Sequence, residues 1–316
     1  MVKSGFIAIA GRPNAGKSTL LNHVLGSKVS IVTPKAQTTR ERVLGILTEK
    51  KGQIVFIDTP GIHKAKEGGI NAFMMSEVKE ALEDPSAVWY IVDPNSALKH
   101  EMAVLELLKG VKAPVLILIN KVDLKAAVAT PERLRVLTED LTRATQEMNI
   151  PVQGIYLISA LKGRGIDPVV QTTWDLMPEG PIYFPPDEDG DDQISDRPTR
   201  YFVAEKVREQ LFLKLGDEIP YCCAIEIEKF DESSKPPRIE AVIYVERDSQ
   251  KGMVIGKGGA KIKEIGTAAR KEIEDFLGGQ VFLGLKVKVL KDWSKDAEVL
   301  KRLGYTLPNT KKKKSS

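Results

Sequence analysis

The chain has 316 residues, of which 42% are hydrophobic and 28% charged, with a formal net charge of +4. That length predicts two domains and that composition an ordinary globular protein, and no apolar run approaches the roughly 18 residues of a membrane-spanning helix. The charge is placed unevenly: residues 251–316 carry 16 Lys/Arg against 7 Asp/Glu, a net +9 that leaves −5 for residues 1–250, so a polyanionic partner is expected toward the C-terminal end.

The apolar run Phe6-Ile7-Ala8-Ile9-Ala10 reads as a buried strand. It begins almost at once, so no signal or transit peptide is expected. Gly11 to Ser18, GRPNAGKS, follows it and fits G-x-x-x-x-G-K-S, a phosphate-binding loop; Thr19–Leu25 continues with helical spacing. Gly11 and Gly16 let the backbone wrap a phosphate. The N–H groups of the Asn14, Ala15, Gly16, Lys17, Ser18 and Thr19 stretch point inward, aided by the helix N-terminus. Lys17 reaches the outer phosphates and Ser18 offers its hydroxyl to Mg²⁺. Residues 33–40, TPKAQTTR, are polar and broken by proline, so a mobile loop is expected. Thr39 there either completes the Mg²⁺ shell or is an ordinary solvated threonine.

The next strand, Ile54–Ile57, ends in Asp58-Thr59-Pro60-Gly61. Asp58 can hold Mg²⁺ through water and the Gly61 N–H can meet a γ-phosphate; a plain Asp-Pro-Gly turn is the alternative. Lys17, Thr39 and Gly61 are therefore the candidate catalytic set. Further strands are expected at Val88–Val92, Val115–Ile119 and Gly154–Ile158, with helices at Ala72–Leu82, Ala103–Leu108 and Pro131–Met148. Val115–Ile119 ends in Asn120-Lys121-Val122-Asp123. A carboxylate only accepts hydrogen bonds, and guanine presents two donors on one edge, N1–H and its exocyclic amine. Adenine has an acceptor at N1 and lacks that amine, so Asp123 would face it unpaired at a cost. Asn120 and the Lys121 stem are expected to hold the base edge and face, and the Ser159-Ala160 backbone to approach guanine O6. Strand–helix alternation as far as Met177 predicts an α/β domain over residues 1–178, a doubly wound, mostly parallel sheet with ligands at the strand C-termini.

Residues 179–200 are rich in proline and acid and read as a linker, solvating or shielding the basic region from RNA. The second domain, residues 201–316, has helical spacing over Tyr201–Leu215, strand alternation over Cys222–Phe230 and Ile239–Val245, and a short helix over Gln250–Ile255. Gly256-Lys257-Gly258-Gly259, an amphipathic helix Ala260–Phe276 and a strand Val281–Leu290 complete it. This α+β order resembles a type II, bacterial-type KH domain. The GxxG loop leaves only the Lys257 side chain between backbone and RNA phosphates, with Lys261 and Lys263 on the helix behind it and Ile255 and Ile262 in an apolar groove for bases. A tight helix–helix turn is the alternative. The only cysteines, Cys222 and Cys223, are adjacent and have neither disulfide-framework nor metal-ligand spacing, which suits a reducing cytosol. Trp293 is expected in the core, and Lys311–Lys314 in a tail adding phosphate attraction.

GRPNAGKS, KAQTTR, DTPGIH, NKVD and SALKG, in this order, resemble the motifs of translation-factor-type GTPases of the Era family, and the likeness extends through Asp217-Glu218-Ile219-Pro220-Tyr221 to the KH module. The resemblance implies a GTP/GDP- and Mg²⁺-dependent switch. Its RNA would be the 3′ end of 16S rRNA and its process small ribosomal subunit maturation, in a cytoplasmic monomer with peripheral contact at the inner membrane face. Ile62 stands where Ras-type enzymes carry the water-orienting glutamine, so unaided hydrolysis should be slow. An asparagine at the Asn14 position helps hold K⁺ in related GTPases; a loop Asn bonding its own backbone is the alternative. His63 is a weak candidate base. An RNA-binding assembly module with mainly structural nucleotide is the rival reading.

Overall fold

The computed structural model describes residues 2–35, 37–62, 68–124, 129–216 and 218–306. His63, Asp217 and Lys311–Lys314, singled out above, lie outside the described residues. Contacts divide the chain into two units, residues 2–62 with 77–197 and residues 68–76 with 198–306.

The first unit runs β1 (Val2–Gly11), α1 (Lys17–Leu25), β2 (Val43–Glu49), β3 (Gly52–Asp58), then α2 (Gly69–Ala81), whose first residues belong to the other unit. It continues β4 (Ala87–Val92), α3 (Leu98–Leu108), β5 (Val115–Ile119), α4 (Pro131–Glu147), β6 (Val152–Leu157), α5 (Ile166–Leu176) and β7 (Glu179–Gly180). The strand order is β2-β3-β1-β4-β5-β6, with β7 also paired to β1. β3, β1, β4, β5 and β6 are parallel; β2 runs antiparallel on β3, and β7 antiparallel on β1. Every residue of β4 and β5 is fully buried. That is why these strands read as continuous apolar runs without alternation. One face packs on Val78, Val104, Leu105 and Leu141, the other on Leu20, Leu21, Val169 and Trp174. Each fully buried Val, Leu or Ile contributes about 1.5–3 kcal/mol. Parallel register brings the C-terminal ends together, with Ile9 beside Asp58, Gly11 beside Ile91 and Ile119 beside Leu157.

Two features differ from the sequence reading. β2 is an additional edge strand whose pattern is interrupted at Gly45, where a Cβ would lie 2.6 Å from the Leu25 side chain. The stretch read as a linker is anchored as far as Arg197. Gln53 Oε1 accepts from the Tyr183 and Phe184 amides, Ile46 N donates to Ile194 O (2.8 Å), and Arg197 donates to Arg42 O (2.9 Å). This segment covers the free edge of β2, which would otherwise expose unpaired backbone.

The second unit runs α6 (Thr199–Lys214), a 3₁₀ turn at Pro220–Cys222, β8 (Ala224–Asp231), β9 (Arg238–Val245), α7 (Asp248–Ile255), α8 (Ala260–Leu277), β10 (Phe282–Val289) and α9 (Ala297–Arg302). Its sheet order is β10-β9-β8, parallel then antiparallel. One sheet face packs on Val203, Val207 and Leu211 of α6 and Ile265, Ala269 and Ile273 of α8. Val242 and Tyr244 on the other face pack with Trp293, Tyr305 and, from α2, Phe73 and Met74. Trp293 is fully buried and its Nε1 donates to Cys222 O (2.8 Å), a core role as expected. Cys222 and Cys223 are free thiols in the turn before β8, which starts at Ala224 rather than Cys222.

Candidate functional site

Helix α1 begins directly after Gly16, so the Lys17, Ser18 and Thr19 amides head the helix without carbonyl partners inside it. Gly16 takes a left-handed conformation (φ +103°), and a Cβ there would fall 2.2 Å from Asn120 Nδ2. That proximity exposes a brace the sequence did not reveal. Asn120 is 2% exposed; its Nδ2 donates to Ala15 O (2.8 Å) and its Oδ1 accepts from the Ala160 amide (2.8 Å). Asn120 therefore ties the phosphate-loop sequence to the Ser159-Ala160 loop through both ends of its amide. Of the Ser159-Ala160 backbone expected to approach guanine O6, the Ala160 N–H is engaged in that brace.

A cavity of about 440 Å³ opens over α1, lined by Asn14, Lys17, Ser18, Thr39, Gly61 and Lys121 among others. Lys17 is 6% exposed and donates to Gly11 O (3.2 Å) and Arg12 O (3.1 Å). Burial pushes its pKa down to about 8, against the opposing pull of Asp58 and Glu101. Ser18 donates to Asp58 Oδ2 (2.7 Å) and lies 3.1 Å from Thr39 Oγ1. The three residues proposed for Mg²⁺ thus converge. Asp58 is fully buried; burial raises its pKa, while Lys17, Ser18 and Ser30 pull it back. Its Oδ1 completes no hydrogen bond. One carboxylate, with its Oδ1 unsatisfied, and two hydroxyls are hard oxygen donors that fit Mg²⁺ completed by phosphate and water. Among the described residues, no cluster of three His, Cys, Asp or Glu offers another metal centre.

In the polar loop after α1, Thr38 Oγ1 donates to Lys35 O (2.9 Å), and Thr38 and Arg40 are buried. Asn14 is exposed in a left-handed conformation and donates to Pro34 O (2.9 Å), linking that loop to the phosphate loop. After Asp58, Thr59 Oγ1 donates to Ile9 O (2.7 Å) and Ile62 N to Gly11 O (3.0 Å), fixing Gly61 against Pro13. Ile62 is 1% exposed in the core, so its side chain is packing material.

Lys121 Nζ donates to Asp93 Oδ2 (2.7 Å) and Asn14 O (2.6 Å), which stretches its stem beside the cavity. Ser159 Oγ donates to Asp123 Oδ1 (2.5 Å). The carboxylate is thereby oriented while keeping acceptor capacity. Asp93 and the neighbouring Arg12–Ser96 hydrogen bond (2.8 Å) escaped the sequence reading, although they occupy or border the strand-end layer. Their signal was position: Asp93 directly follows β4 at the end of the sheet that carries the other motifs.

In the second unit, Gly256 to Gly259 turn between α7 and α8, with Gly256, Gly258 and Gly259 all at positive φ. Lys257 and Lys263 are exposed, whereas Lys261 is drawn to Glu264 (2.9 Å), which also pairs with Lys214 (3.1 Å). These two lysines hold the Glu264 carboxyl below its usual range. A cleft of about 290 Å³ between α8 and β10 is lined by Ile262, Lys263, Gly266, Arg270, Leu283 and Leu285 among others. Ile262, Leu283 and Leu285 line it, and Ile255, at the end of α7, is not among its lining residues.

Two family models match the chain: a 50S ribosome-binding GTPase over residues 6–121 and a KH domain over residues 218–294. The GTPase Era of Geobacter metallireducens is 45% identical over 307 residues, covering 96% of this chain and 98% of that protein. That of Staphylococcus haemolyticus is 42% identical over 305 residues, covering 96% and 97%. Among solved structures, an Aquifex aeolicus Era variant bound to GDP·AlF₄⁻ superimposes with a TM-score of 0.87 at 36% identity, covering 97% of this chain and all of that one. An Era in complex with MgGDPNP and nucleotides 1506–1542 of 16S ribosomal RNA gives 0.86 at 37% identity, with the same coverage. With relatives of this identity matching almost end to end, the chain belongs to the Era family of GTPases.

Proposed function

We propose that residues 1–178 form a GTP/GDP and Mg²⁺ switch and residues 201–316 an RNA reader that binds the 3′ end of 16S rRNA during small ribosomal subunit maturation. The supporting observation is the near end-to-end likeness to an Era solved with MgGDPNP and nucleotides 1506–1542 of 16S RNA. It falls on a chain whose own candidate ligands converge around one cavity.

In this reading Gly11 and the loop from Asn14 to Thr19 cradle the phosphates, Lys17 neutralises them, and the Gly61 amide meets the γ-phosphate. Ser18, Thr39 and Asp58 hold Mg²⁺, which supplies charge neutralisation when bound. Asp123, oriented by Ser159, selects guanine; Lys121 covers the base face; Asn120 keeps the two loops in register. Ile62 is buried and cannot orient water, so hydrolysis is slow without RNA or a ribosomal partner. Asn14, at the cavity rim, favours K⁺ over Na⁺ as an accessory ion; equal hydrolysis rates in the two salts refute that element.

Gly256–Gly259 receive the RNA backbone, Lys257, Lys261 and Lys263 its phosphates, and the Ile262–Leu285 cleft its bases. A monomer with a weak peripheral membrane contact completes the reading, tested by light scattering and by flotation with anionic vesicles. The central experiment crosslinks the GTP-locked protein to cellular RNA and sequences what is recovered. Enrichment at the 3′ end of 16S rRNA is expected; uniform recovery across RNAs refutes the ribosomal assignment.

A further inference from the structure

Beside Asp58 lies a buried polar side chain, Ser30, that the assigned roles do not use. Ser30 is 4% exposed and its hydroxyl lies beside the Asp58 carboxylate. Yet neither Ser30 Oγ nor Asp58 Oδ1 completes a well-aligned hydrogen bond. Buried polar atoms left this way mark a place for water or an ion. The hydroxyl is held there deliberately. Asn22, on α1 one turn beyond Ser18, accepts from the Val29 and Ser30 amides (2.9 Å each) and donates to Ser30 O (2.7 Å). Three hydrogen bonds from one side chain fix the backbone that carries the hydroxyl.

A metal-bound water is a donor with both hydrogens free; the Ser30 hydroxyl, which turns its own hydrogen toward the Asp58 carboxylate, keeps lone pairs to accept one of them, and Asp58 Oδ1 can accept the other. We propose that the Ser30 hydroxyl, posed by Asn22, shares with Asp58 Oδ1 the outer water shell of the Mg²⁺, making Ser30 and Asn22 positioning residues for the metal. This rests on the Mg²⁺ reading above.

The test follows release of fluorescent GDP from the full chain across a Mg²⁺ titration ending in excess EDTA. Ser30→Ala raises the Mg²⁺ concentration for half-maximal slowing by about tenfold and leaves the EDTA rate unchanged. Ser30→Cys, which keeps the volume with a weaker hydrogen bond, shifts in the same direction. An unchanged half-point in Ser30→Ala overturns the proposal. So does a parallel rise in the EDTA rate, which marks a displaced loop, or wild-type behaviour of the Cys variant, which marks lost packing. A wild type insensitive to Mg²⁺ sinks the metal reading and this inference with it, whereas failure of the Ser30 variants alone leaves the metal reading standing.

Discussion

In the first unit three of the candidate site's polar residues are buried and bonded to protein: Lys17 is 6% exposed, Asn120 2% and Asp58 fully buried. In the second unit Lys257 and Lys263 stand in solvent, and Lys261 is already shared with a glutamate. Buried charges act in a low dielectric and cannot be screened, so the first site is preorganised and intolerant. Exposed lysines act through a salt-screened field, so the groove is tolerant and each contact is worth little. One chain therefore combines a narrow, chemically exact recognition with a broad electrostatic one.

The largest break of this contrast is Asp123→Asn. An amide keeps one acceptor for N1–H but turns its NH₂ donor onto guanine's exocyclic amine, so GTP affinity should fall by about a hundredfold or more, while xanthosine nucleotides, with a carbonyl at that carbon, gain. Competition of both nucleotides against fluorescent GDP measures it, and unchanged guanosine preference contradicts the role given to Asp123.

Asn120→Ala should come next. It leaves the Ala15 carbonyl and the Ala160 amide without their partner, costing about 2–3 kcal/mol in thermal or denaturant unfolding. Nucleotide affinity should fall by tens of fold with it. A stable variant that loses affinity alone would move Asn120 from brace to direct contact.

The pH response sharpens the same point. Lys17 has a folded pKa of about 8, below the 10.5 of a free lysine. The ligand-free fold is therefore penalised below about pH 8, and the penalty fades as pH rises toward 10.5. Bound polyphosphate restores the ammonium form. Affinity should then fall above pH 8 by up to about tenfold per unit, with proton uptake on binding. Calorimetry near about pH 9 in two buffers of different ionisation heat reads that uptake; identical apparent heats refute it.

The smallest effect belongs to the groove. Lys257→Ala should weaken RNA binding only a fewfold, uniformly across sequences, and flatten the log–log salt slope by about 0.7. A loss of sequence preference instead would mean that Lys257 reads bases.

GRPNAGKS, DTPG, NKVD and the GxxG turn were legible because each is a local device: a handful of consecutive residues fixes both the backbone shape and the chemistry offered. The parallel strands were legible too, since burial on both faces writes them as unbroken apolar runs such as Val115–Ile119. Edge strand β2 was not, because its pattern is interrupted at Gly45 and makes sense only beside Leu21 and Leu25. Nor was the anchoring of residues 183–197, whose acid and proline read as linker while its backbone meets the Gln53 side chain and Ile46 and its Arg197 guanidinium donates to Arg42 O.

By itself the sequence determined which groups are candidates for phosphate, metal and base, since those follow from residue type and spacing. Only the tertiary structure decided what holds them. The Asn120 brace spans 105 residues to Ala15, and Ser30 meets Asp58 from another loop. Packing of Phe73 and Met74 with Trp293 likewise joins distant segments. Such contacts carry no local pattern, because a buried polar atom finds its partner through the fold rather than along the chain.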